Sequence, residues 1–300
     1  MANEKKTEKN PPAPSRAPYS KTPMFAAVHA IRYQRQQLIR EIQDERRTAL
    51  LCYVGGLGTS VGREDAVFFG DLLHNVPRGT PIDLLLHTGG GDIDAAEKLM
   101  SMLSDAAGTA PLCVIVPDYA KSAGTLMALG ANLIIMSDSS ELGPIDPQIE
   151  TQDSEGRISV VAVQNHLDAY SEAFDLVKRE PENKAAQIML KTFDPSRIHK
   201  YKAAQARARQ LAEKMLKSRM FREENFLPTA PVNALMDNTK YQSHGQMIGI
   251  DEAKGISLKV DARLPDDPLW RKIWQLYCYQ RMGITDDVKL FESDVASLAI

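Results

Sequence analysis

Short apolar runs alternate with helical patterns between residues 49 and 163, and no other feature constrains the fold as strongly. Each run is bounded by glycine, proline or aspartate, and its near-continuous apolar character is typical of strands covered on both faces. The runs are residues 49–54, 82–86, 112–116, 133–136 and 158–162. Between the second and third runs, apolar residues from Ile93 to Ala107 recur on one helical stripe. This alternation predicts an α/β layer architecture with parallel strands.

Four regions follow one another along the chain. Residues 1–22 are rich in proline and lysine, with almost nothing able to pack, and we expect a disordered arm. Residues 23–47 have charged residues and apolar positions at helical spacing, which predicts an amphipathic helix. Residues 48–163 form the expected catalytic core. Residues 164–300 are predicted to be a largely helical extension, in which the segment 241–260, with a helix-then-strand pattern, completes the core.

The charge balance argues against nucleic acid as a partner. The chain has 36 Lys and Arg residues against 39 Asp and Glu, and its formal net charge is −3. Such a chain has no overall field that would attract nucleic acid or an anionic membrane. A helix predicted over residues 197–222 carries nine Lys and Arg against one Glu, and we expect this face to be solvated.

The compartment is predicted from the cysteines and from the apolar stretches. Cys52, Cys113 and Cys278 are far apart and odd in number, which is typical of reduced thiols. No stretch has the about 18 apolar residues of a membrane span, and residues 1–23 lack the apolar segment of a signal peptide. We therefore expect a cytoplasmic protein.

Three consecutive glycines follow the second apolar run, in the segment His87-Thr-Gly-Gly-Gly-Asp92. Glycines in a row are expected where the backbone takes unusual φ values or approaches a ligand closely. At the start of a helix, their N–H groups can bind an oxyanion or a phosphate. The alternative is a tight strand-to-helix turn without a ligand. The spacing matches neither a dinucleotide-binding fingerprint nor a phosphate-binding loop.

Ser122 lies between the third apolar run and the next predicted helix, among the small residues Ala120, Ala123 and Gly124. Serine is a preferred N-cap residue, so capping is one interpretation. The other is a nucleophile, since acyl transfer needs a hydroxyl together with backbone donors for the oxyanion. The glycine loop one strand away can supply such donors. The pair of motifs therefore favours the nucleophile.

Three segments resemble the serine dehydrogenase proteinase family, which groups with signal peptide peptidase A and the proteolytic subunit of Clp protease. The resemblance extends over residues 49–150 and returns at 243–245 and 251–260. The segments are His87-Thr-Gly-Gly-Gly-Asp92, Ala120-Lys-Ser-Ala-Gly-Thr-Leu-Met-Ala-Leu-Gly130 and Ser140-Glu-Leu-Gly-Pro-Ile-Asp-Pro-Gln148. Family members often carry an N-terminal hydrophobic anchor, whereas this chain has the proline-rich arm.

The resemblance implies a Clp/crotonase-like spiral of β-β-α units, with additional C-terminal helices in this chain. It implies that Ser122 is the nucleophile and that Gly90, Gly91 and Ala123 form the oxyanion hole within and beside the Gly89–Gly91 loop. It implies no metal or organic cofactor. Clp-like relatives act as closed oligomers, so a homo-oligomer is also implied.

The general base that would activate Ser122 is left open among three side chains. Clp-type relatives use a histidine and an aspartate, whereas signal peptide peptidase A uses a lysine, which serves only if burial lowers its pKa. Lys178 lies at the edge of an apolar helical stripe, where a lysine snorkelling at the surface is the alternative. His166 opens the same helix, and His244 lies in Ser-His-Gly, where family members tend to have a histidine. Each histidine has a structural alternative.

Two further residues are assigned structural roles. Lys121 is next to Ser122, and neighbouring residues at a helix start point apart, so we do not expect it to be the base. Asp146 lies between Ile145 and Pro147 and could orient a histidine. We expect it instead to brace a turn, because the surrounding segment is dense in residues that restrict the backbone.

Together, the residues and the resemblance predict a serine endopeptidase that hydrolyses peptides or unfolded proteins through an acyl-enzyme. One alternative is crotonase-type acyl-CoA hydratase or thioesterase chemistry, because an oxyanion hole serves an enolate as well. Another is a catalytically silent assembly or binding module. Apolar stripes in 24–47 and 198–215 exceed what is needed to cover the core, and they are expected to pack against a symmetry mate. The alternative is that both helices fold back on their own domain.

Overall fold

A seven-stranded sheet lies at the centre of the computed structural model, within the residues that the structure describes, 22–152 and 156–300. Its strands, in spatial order, are β11 (Ser297–Ala299), β10 (Lys289–Glu292), β1 (Ala49–Gly55), β2 (Ile82–His87), β3 (Leu112–Ile115), β5 (Leu133–Met136) and β9 (Val260–Ala262). Within this sheet, β1, β2, β3, β5 and β9 are parallel to one another, whereas β10 and β11 pair antiparallel at one edge. The predicted α/β class and four of the five predicted central strands are confirmed.

The segment 158–162 is a strand, but it lies outside the central sheet. It forms β8 (Ile158–Ala162), which pairs antiparallel with β7 (Gln148–Gln152). The connection, 153–157, is far shorter than the dozen or so residues that a parallel crossover needs. The expectation of a parallel central strand at 158–162 was therefore wrong. A second small sheet pairs β4 (Tyr119–Ala120) with β6 (Glu141–Leu142).

Helices cover both faces of the central sheet. Alternate residues of each strand point to opposite faces, so a single strand contributes side chains to two apolar clusters. On β1, Leu51 and Tyr53 belong to one apolar cluster, whereas Leu50 and Cys52 belong to the other. The helices are α1 (Pro23–Val28), α2 (Ala30–Arg46), α3 (Asp65–Leu73), α4 (Ile93–Ala107), α5 (Ala123–Leu129), α6 (Val163–Arg179), α7 (Lys184–Lys191), α8 (Pro195–Ser218), α9 (Thr229–Leu235), α10 (Ile250–Gly255) and α11 (Pro268–Met282). Residues of α3, α4, α5 and α8 contribute to the first cluster, and α2 and α11 contribute to the second.

Local signals determine where α4 begins and ends. The side chain of Asp92 accepts hydrogen bonds from the N–H groups of Asp94 and Ala95 and thus caps the helix. At the other end, Gly108 has φ +57°, a conformation that glycine adopts without a steric penalty. The predicted helical stripe is confirmed with the same first and last residues.

The amphipathic helix predicted over residues 23–47 is present but interrupted at His29, which separates α1 from α2. Ile39 and Ile42 of α2 are fully buried beside α11. The exposed apolar residues of this region lie nearer its start and are Met24, Phe25, Val28 and Ile31. The disordered arm predicted for residues 1–22 lies outside the described residues, apart from Thr22.

The apolar stripe of α8 is buried within its own chain. Leu211, Ala212 and Met215 belong to the first core cluster, and Ile198 packs in a smaller cluster with α6. The argument that this stripe is left over for a symmetry mate was therefore wrong. No helix within the described residues is long and apolar enough to cross a membrane.

Several basic residues of α8 form ion pairs with α4. Arg207 pairs with Asp94 at 2.6 Å and also with Glu97, and Lys214 reaches Glu97 at 2.6 Å. These pairs neutralise part of the basic face, which fits a structural role for it.

Arg219, just beyond α8, is buried rather than solvated. Its guanidinium donates hydrogen bonds to the carbonyl oxygens of Ser104, Gly108 and Ala110, at and beyond the end of α4. Burial lowers the pKa of this guanidinium from its ordinary value. The last carbonyls of a helix lack partners within it. Arg219 supplies donors to Gly108 and Ala110, and a second donor to Ser104, whose carbonyl also accepts from the N–H of Gly108.

Candidate active site

The two motif loops meet at the carboxyl ends of β2 and β3. Because neighbouring parallel strands end at the same edge of a sheet, residues that follow them come together. Here the N–H of Thr88 donates to the carbonyl of Tyr119 at 3.1 Å, and the N–H of Lys121 donates to the carbonyl of Thr88 at 3.0 Å. The glycine loop and the serine turn are thus joined by backbone hydrogen bonds.

Ser122 has an unusual backbone conformation, with φ +50° and ψ −113°. It occupies the N-cap position of α5, as predicted, but its side chain makes no capping hydrogen bond. A non-glycine residue with positive φ costs on the order of 1–3 kcal/mol and is found preferentially at functional sites. The capping interpretation therefore does not explain this serine, and its half-buried hydroxyl is left available for chemistry.

Gly90 lies directly against Ser122. Its φ is +111°, and a Cβ added to it would lie 2.8 Å from the Cβ of Ser122 and 3.3 Å from the backbone nitrogen of Ala123. Any larger residue would displace the serine turn. The expectation of unusual φ values in the glycine loop is confirmed at this position.

Gly91 is required for a different contact. It has φ +145°, and a Cβ here would lie 2.5 Å from the backbone of Val61. Val61 pairs with the glycine loop through two backbone hydrogen bonds. Its N–H donates to the carbonyl oxygen of Gly90 at 2.7 Å, and its carbonyl oxygen accepts from the N–H of Asp92 at 2.9 Å. This pairing holds the loop in place from the side of α3.

Two of the three backbone N–H groups predicted to form the oxyanion hole have no acceptor within the described residues. The N–H of Gly90 donates to the hydroxyl of Thr88 at 3.1 Å. By contrast, the N–H groups of Gly91 and Ala123 donate to no acceptor within the described part of the chain. Of the three residues predicted to form the oxyanion hole, Gly91 and Ala123 thus have unengaged donors.

His244 and Asp146, 98 positions apart in the chain, form a hydrogen-bonded pair. The His244 Nδ1 lies 2.8 Å from Asp146 Oδ1, and the carboxylate is buried. With the proton on Nδ1, the Nε2 lone pair is available to act as a base, as in a Ser-His-Asp triad. Asp146 thus contacts a histidine, which is the alternative to the bracing role that the sequence favoured for it.

The pair lies in a polar cavity of about 290 Å³. Its lining includes Asn165, Asn238, Gln242 and Ser243. Ser122 does not line this cavity, and its hydroxyl makes no hydrogen bond to His244 in this structure. Catalytic hydrogen bonds are often long in substrate-free structures and shorten in the substrate complex.

The other candidate bases have different surroundings. Lys178 is exposed near the end of α6, so it lacks the burial that a lysine base requires. His166 packs its ring 5.6 Å from that of Tyr201, in the small cluster between α6 and α8. Neither makes a hydrogen bond to Ser122.

Comparison with known proteins places this architecture in a family. The model of the ClpP-like SDH-type serine proteinases matches residues 22–227, more than half of the chain. The chain belongs to this family. The resemblance noted in its motifs is thereby confirmed.

Two curated relatives of this SDH-type proteinase are uncharacterized proteins of Methanocaldococcus jannaschii. The protein MJ0137 is 26% identical over 243 residues, which cover 78% of this chain and 75% of the relative. The protein MJ1495 is 35% identical over 126 residues, which cover 39% of this chain and 42% of the relative.

Two solved structures of variants of the 1510-N membrane-bound stomatin-specific protease also match. One is 20% identical with a TM-score of 0.30, and the alignment covers 51% of this chain and 76% of the solved chain. The other, in complex with a substrate peptide, is 17% identical with a TM-score of 0.29 and covers 78% and 98%.

Sequence reasoning gave no separate role to His87, which ends β2 and precedes the glycine loop. In this SDH-type proteinase its side chain is fully buried, and Nδ1 lies 3.2 Å from the hydroxyl of Tyr277. That hydroxyl donates to Asp118 at 2.6 Å. Burial, helped by the charge of Arg281, lowers the pKa of His87 to about 3, so its ring stays neutral. A histidine at the end of a mostly apolar strand was the signal that could have identified it.

Within the described residues, no group of three or more His, Cys, Asp and Glu side chains is placed to hold a metal ion. The chemistry that the site can perform with its own groups is nucleophilic. It combines a strained serine, two backbone donors without an acceptor in the described residues, and a histidine hydrogen-bonded to a buried carboxylate.

Proposed function

We propose that this SDH-type proteinase cleaves peptide bonds as an endopeptidase through an acyl-enzyme on Ser122. The observation that carries the proposal is the strained, uncapped conformation of Ser122 with Gly90 packed against it. Strain of this kind persists only where the surrounding structure imposes it. Membership of a serine proteinase family supports the same reaction class.

The proposed base is His244, with Asp146 as its orienting partner. In the first step, His244 Nε2 takes the hydroxyl proton of Ser122 while Oγ bonds to the scissile carbonyl carbon. The imidazolium then gives that proton to the leaving amine as the C–N bond breaks. A water molecule, deprotonated by the same nitrogen, hydrolyses the ester and restores the serine. The buried carboxylate of Asp146 favours the imidazolium that forms in each half-reaction.

The N–H groups of Ala123 and Gly91 are proposed to donate hydrogen bonds to the negatively charged oxygen of the tetrahedral intermediate. Both lack another acceptor within the described residues, and Gly90 keeps the loop against the serine turn. Removal of one such donor typically costs about 2.7–4 kcal/mol of transition-state stabilisation. The glycine loop is therefore proposed to raise the reaction rate by stabilising the transition state, whichever side chain acts as the base.

Three further proposals concern the context of the reaction. We expect peptides or unfolded segments as substrates. The exposed apolar residues Met24, Phe25, Val28 and Ile31 are proposed to contribute to a homo-oligomer contact. The free cysteines Cys52, Cys113 and Cys278 suit a reducing cytoplasm.

The test compares base variants with a fluorophosphonate probe and with a fluorogenic peptide. His244→Gln is expected to lower the rate of labelling and of cleavage by roughly 10²–10⁴-fold, the usual contribution of a general base. Asp146→Asn should lower both at least tenfold, because the imidazole loses its orienting acceptor. The matched control is Lys178→Met, which should leave both rates unchanged. Full activity of His244→Gln with loss of activity in Lys178→Met would replace the proposed base by the lysine.

A further inference from the structure

Lys121 precedes Ser122 in the chain, yet its side chain points away from the hydroxyl and is largely buried. Its ammonium lies 2.8 Å from Glu141 Oε2 and 3.1 Å from the carbonyl oxygen of Leu142. It also lies 3.3 Å from each of the carbonyl oxygens of Gly245 and Gln246. An ammonium has three protons and no lone pair, so one that serves four oxygens is a donor and not a base.

Two of these acceptors belong to the turn that carries His244. The N–H of Gln246 donates to the carbonyl of Ser243 at 2.9 Å, which closes the turn 243–246 with His244 as its second residue. Gly245 and Gln246 are exposed, so the turn itself buries little surface. We call this four-residue segment the His244 turn.

The contacts of the His244 turn with the rest of the described chain are few. The ring of His244 binds Asp146, and the ammonium of Lys121 binds two carbonyls of the turn. The next attachment is the bridge between Leu142 and Ile248, with hydrogen bonds of 2.9 and 3.0 Å. Without the ammonium, the hydrogen bond between His244 and Asp146 would be the one polar contact between the turn and the rest of the described residues.

The other end of this contact is the nucleophile turn. The backbone of Lys121 is bonded to Thr88, and Gly143 packs so closely that an added Cβ would lie 2.8 Å from Lys121 Cδ. The ammonium is therefore held in place by backbone and packing independently of the His244 turn. It connects the residue beside the nucleophile to the residues beside the base.

We propose that Lys121 is a positioning residue that fastens the His244 turn to the Ser122 turn and so keeps the imidazole within reach of the nucleophile. The proposal rests on the proposed function for its catalytic consequence, but not for the contact itself. Lys121 acts through His244 and touches no reacting atom.

The test uses Lys121→Met, which retains the aliphatic stem against Gly143 and removes the donors. The matched control is Lys240→Met, since Lys240 lies in the same loop region and pairs with Glu252 at 2.7 Å without contacting the His244 turn. Hydrogen exchange of the peptide containing residues 243–248 is measured by mass spectrometry, together with the pH profile of fluorophosphonate labelling. Lys121→Gln, which keeps a shorter polar side chain, replaces the Met variant if that one fails to fold.

Lys121→Met is expected to accelerate exchange in 243–248 at least tenfold, with core peptides unchanged. Labelling should slow at least tenfold and its pH profile should differ from that of the wild type, since the contact between His244 and Asp146 is loosened. Lys240→Met should leave exchange in 243–248 and labelling as in the wild type. Unchanged exchange in Lys121→Met would overturn the proposal even if labelling fell.

The exchange measurement separates this proposal from the proposed function. If the wild-type protein does not label at all, the proposed function fails, whereas accelerated exchange in Lys121→Met would still establish the fastening contact. If exchange accelerates but labelling and its pH profile stay as in the wild type, the positioning role is refuted.

Discussion

Substitution of Gly90 by alanine tests the contact between the glycine loop and the nucleophile. The new Cβ would lie 2.8 Å from the Cβ of Ser122 and 2.9 Å from the carbonyl oxygen of Lys121, and neither distance is tolerated without movement. The loop or the serine turn must therefore shift by several tenths of an ångström. We expect a shift of this size to misalign the proposed oxyanion donors at Gly91 and Ala123.

The expected loss can be estimated from two costs. Loss of one oxyanion donor removes about 2.7–4 kcal/mol of transition-state stabilisation, or roughly 10²–10³-fold in rate. The positive φ of +111° adds backbone strain, which lowers the free energy of unfolding by about 1–3 kcal/mol. Gly90→Ala should therefore remain folded at 25 °C while it loses most of its activity.

The assay combines fluorophosphonate labelling rates with urea denaturation of the same preparations. Gly89→Ala is the matched control, because a Cβ there would meet no atom within 4 Å. It should label at close to the wild-type rate. Equal activity of the two variants would refute the reasoning, as would a Gly90→Ala protein that is inactive only because it unfolds.

Three other measurements follow from the structure. Burial holds the folded-state pKa of His87 near 3, below the ordinary 6.5, so the stability that the neutral ring contributes is present above pH 6.5 and is lost as the pH falls toward 3. Urea denaturation should therefore give a free energy of unfolding about 2 kcal/mol lower at pH 5 than at pH 7. This difference should be absent in His87→Phe. Arg219→Met should lower the free energy of unfolding by about 1.5–3 kcal/mol, because it removes the hydrogen bonds of a buried guanidinium to the carbonyls of Ser104, Gly108 and Ala110; a urea midpoint equal to that of the wild type would contradict this. Sedimentation at micromolar concentration should give a discrete multiple of 33.2 kDa, and a mass of one chain would exclude the proposed homo-oligomer.

Local patterns in the sequence predicted the parts of the fold that depend on local interactions. The stripe over residues 93–107 and the cap at Asp92 define α4 without help from distant residues. The same holds for β1 and β2, whose continuous apolar character reports burial on both faces. The glycine loop was predictable because positive φ restricts the choice of residue.

The missed elements depend on partners far away in the chain. β10 and β11 are short strands near the C-terminus that pair at the β1 edge, some 240 residues from β1, and nothing in their own composition specifies that partner. The hairpin of β7 and β8 was misassigned because an apolar run does not reveal which sheet it joins. The base stayed open for the same reason, since Asp146 and His244 meet only in the folded chain.

Mapping the site of a fluorophosphonate adduct tests the central claim most directly. After labelling of the wild-type protein, peptide mass spectrometry should place one adduct on Ser122. Ser122→Ala should take up no label. Its free energy of unfolding should lie within about 1 kcal/mol of the wild-type value, because this side chain caps no helix. An adduct on another serine, or no adduct on a folded wild-type protein, would contradict the assignment of Ser122 as the nucleophile.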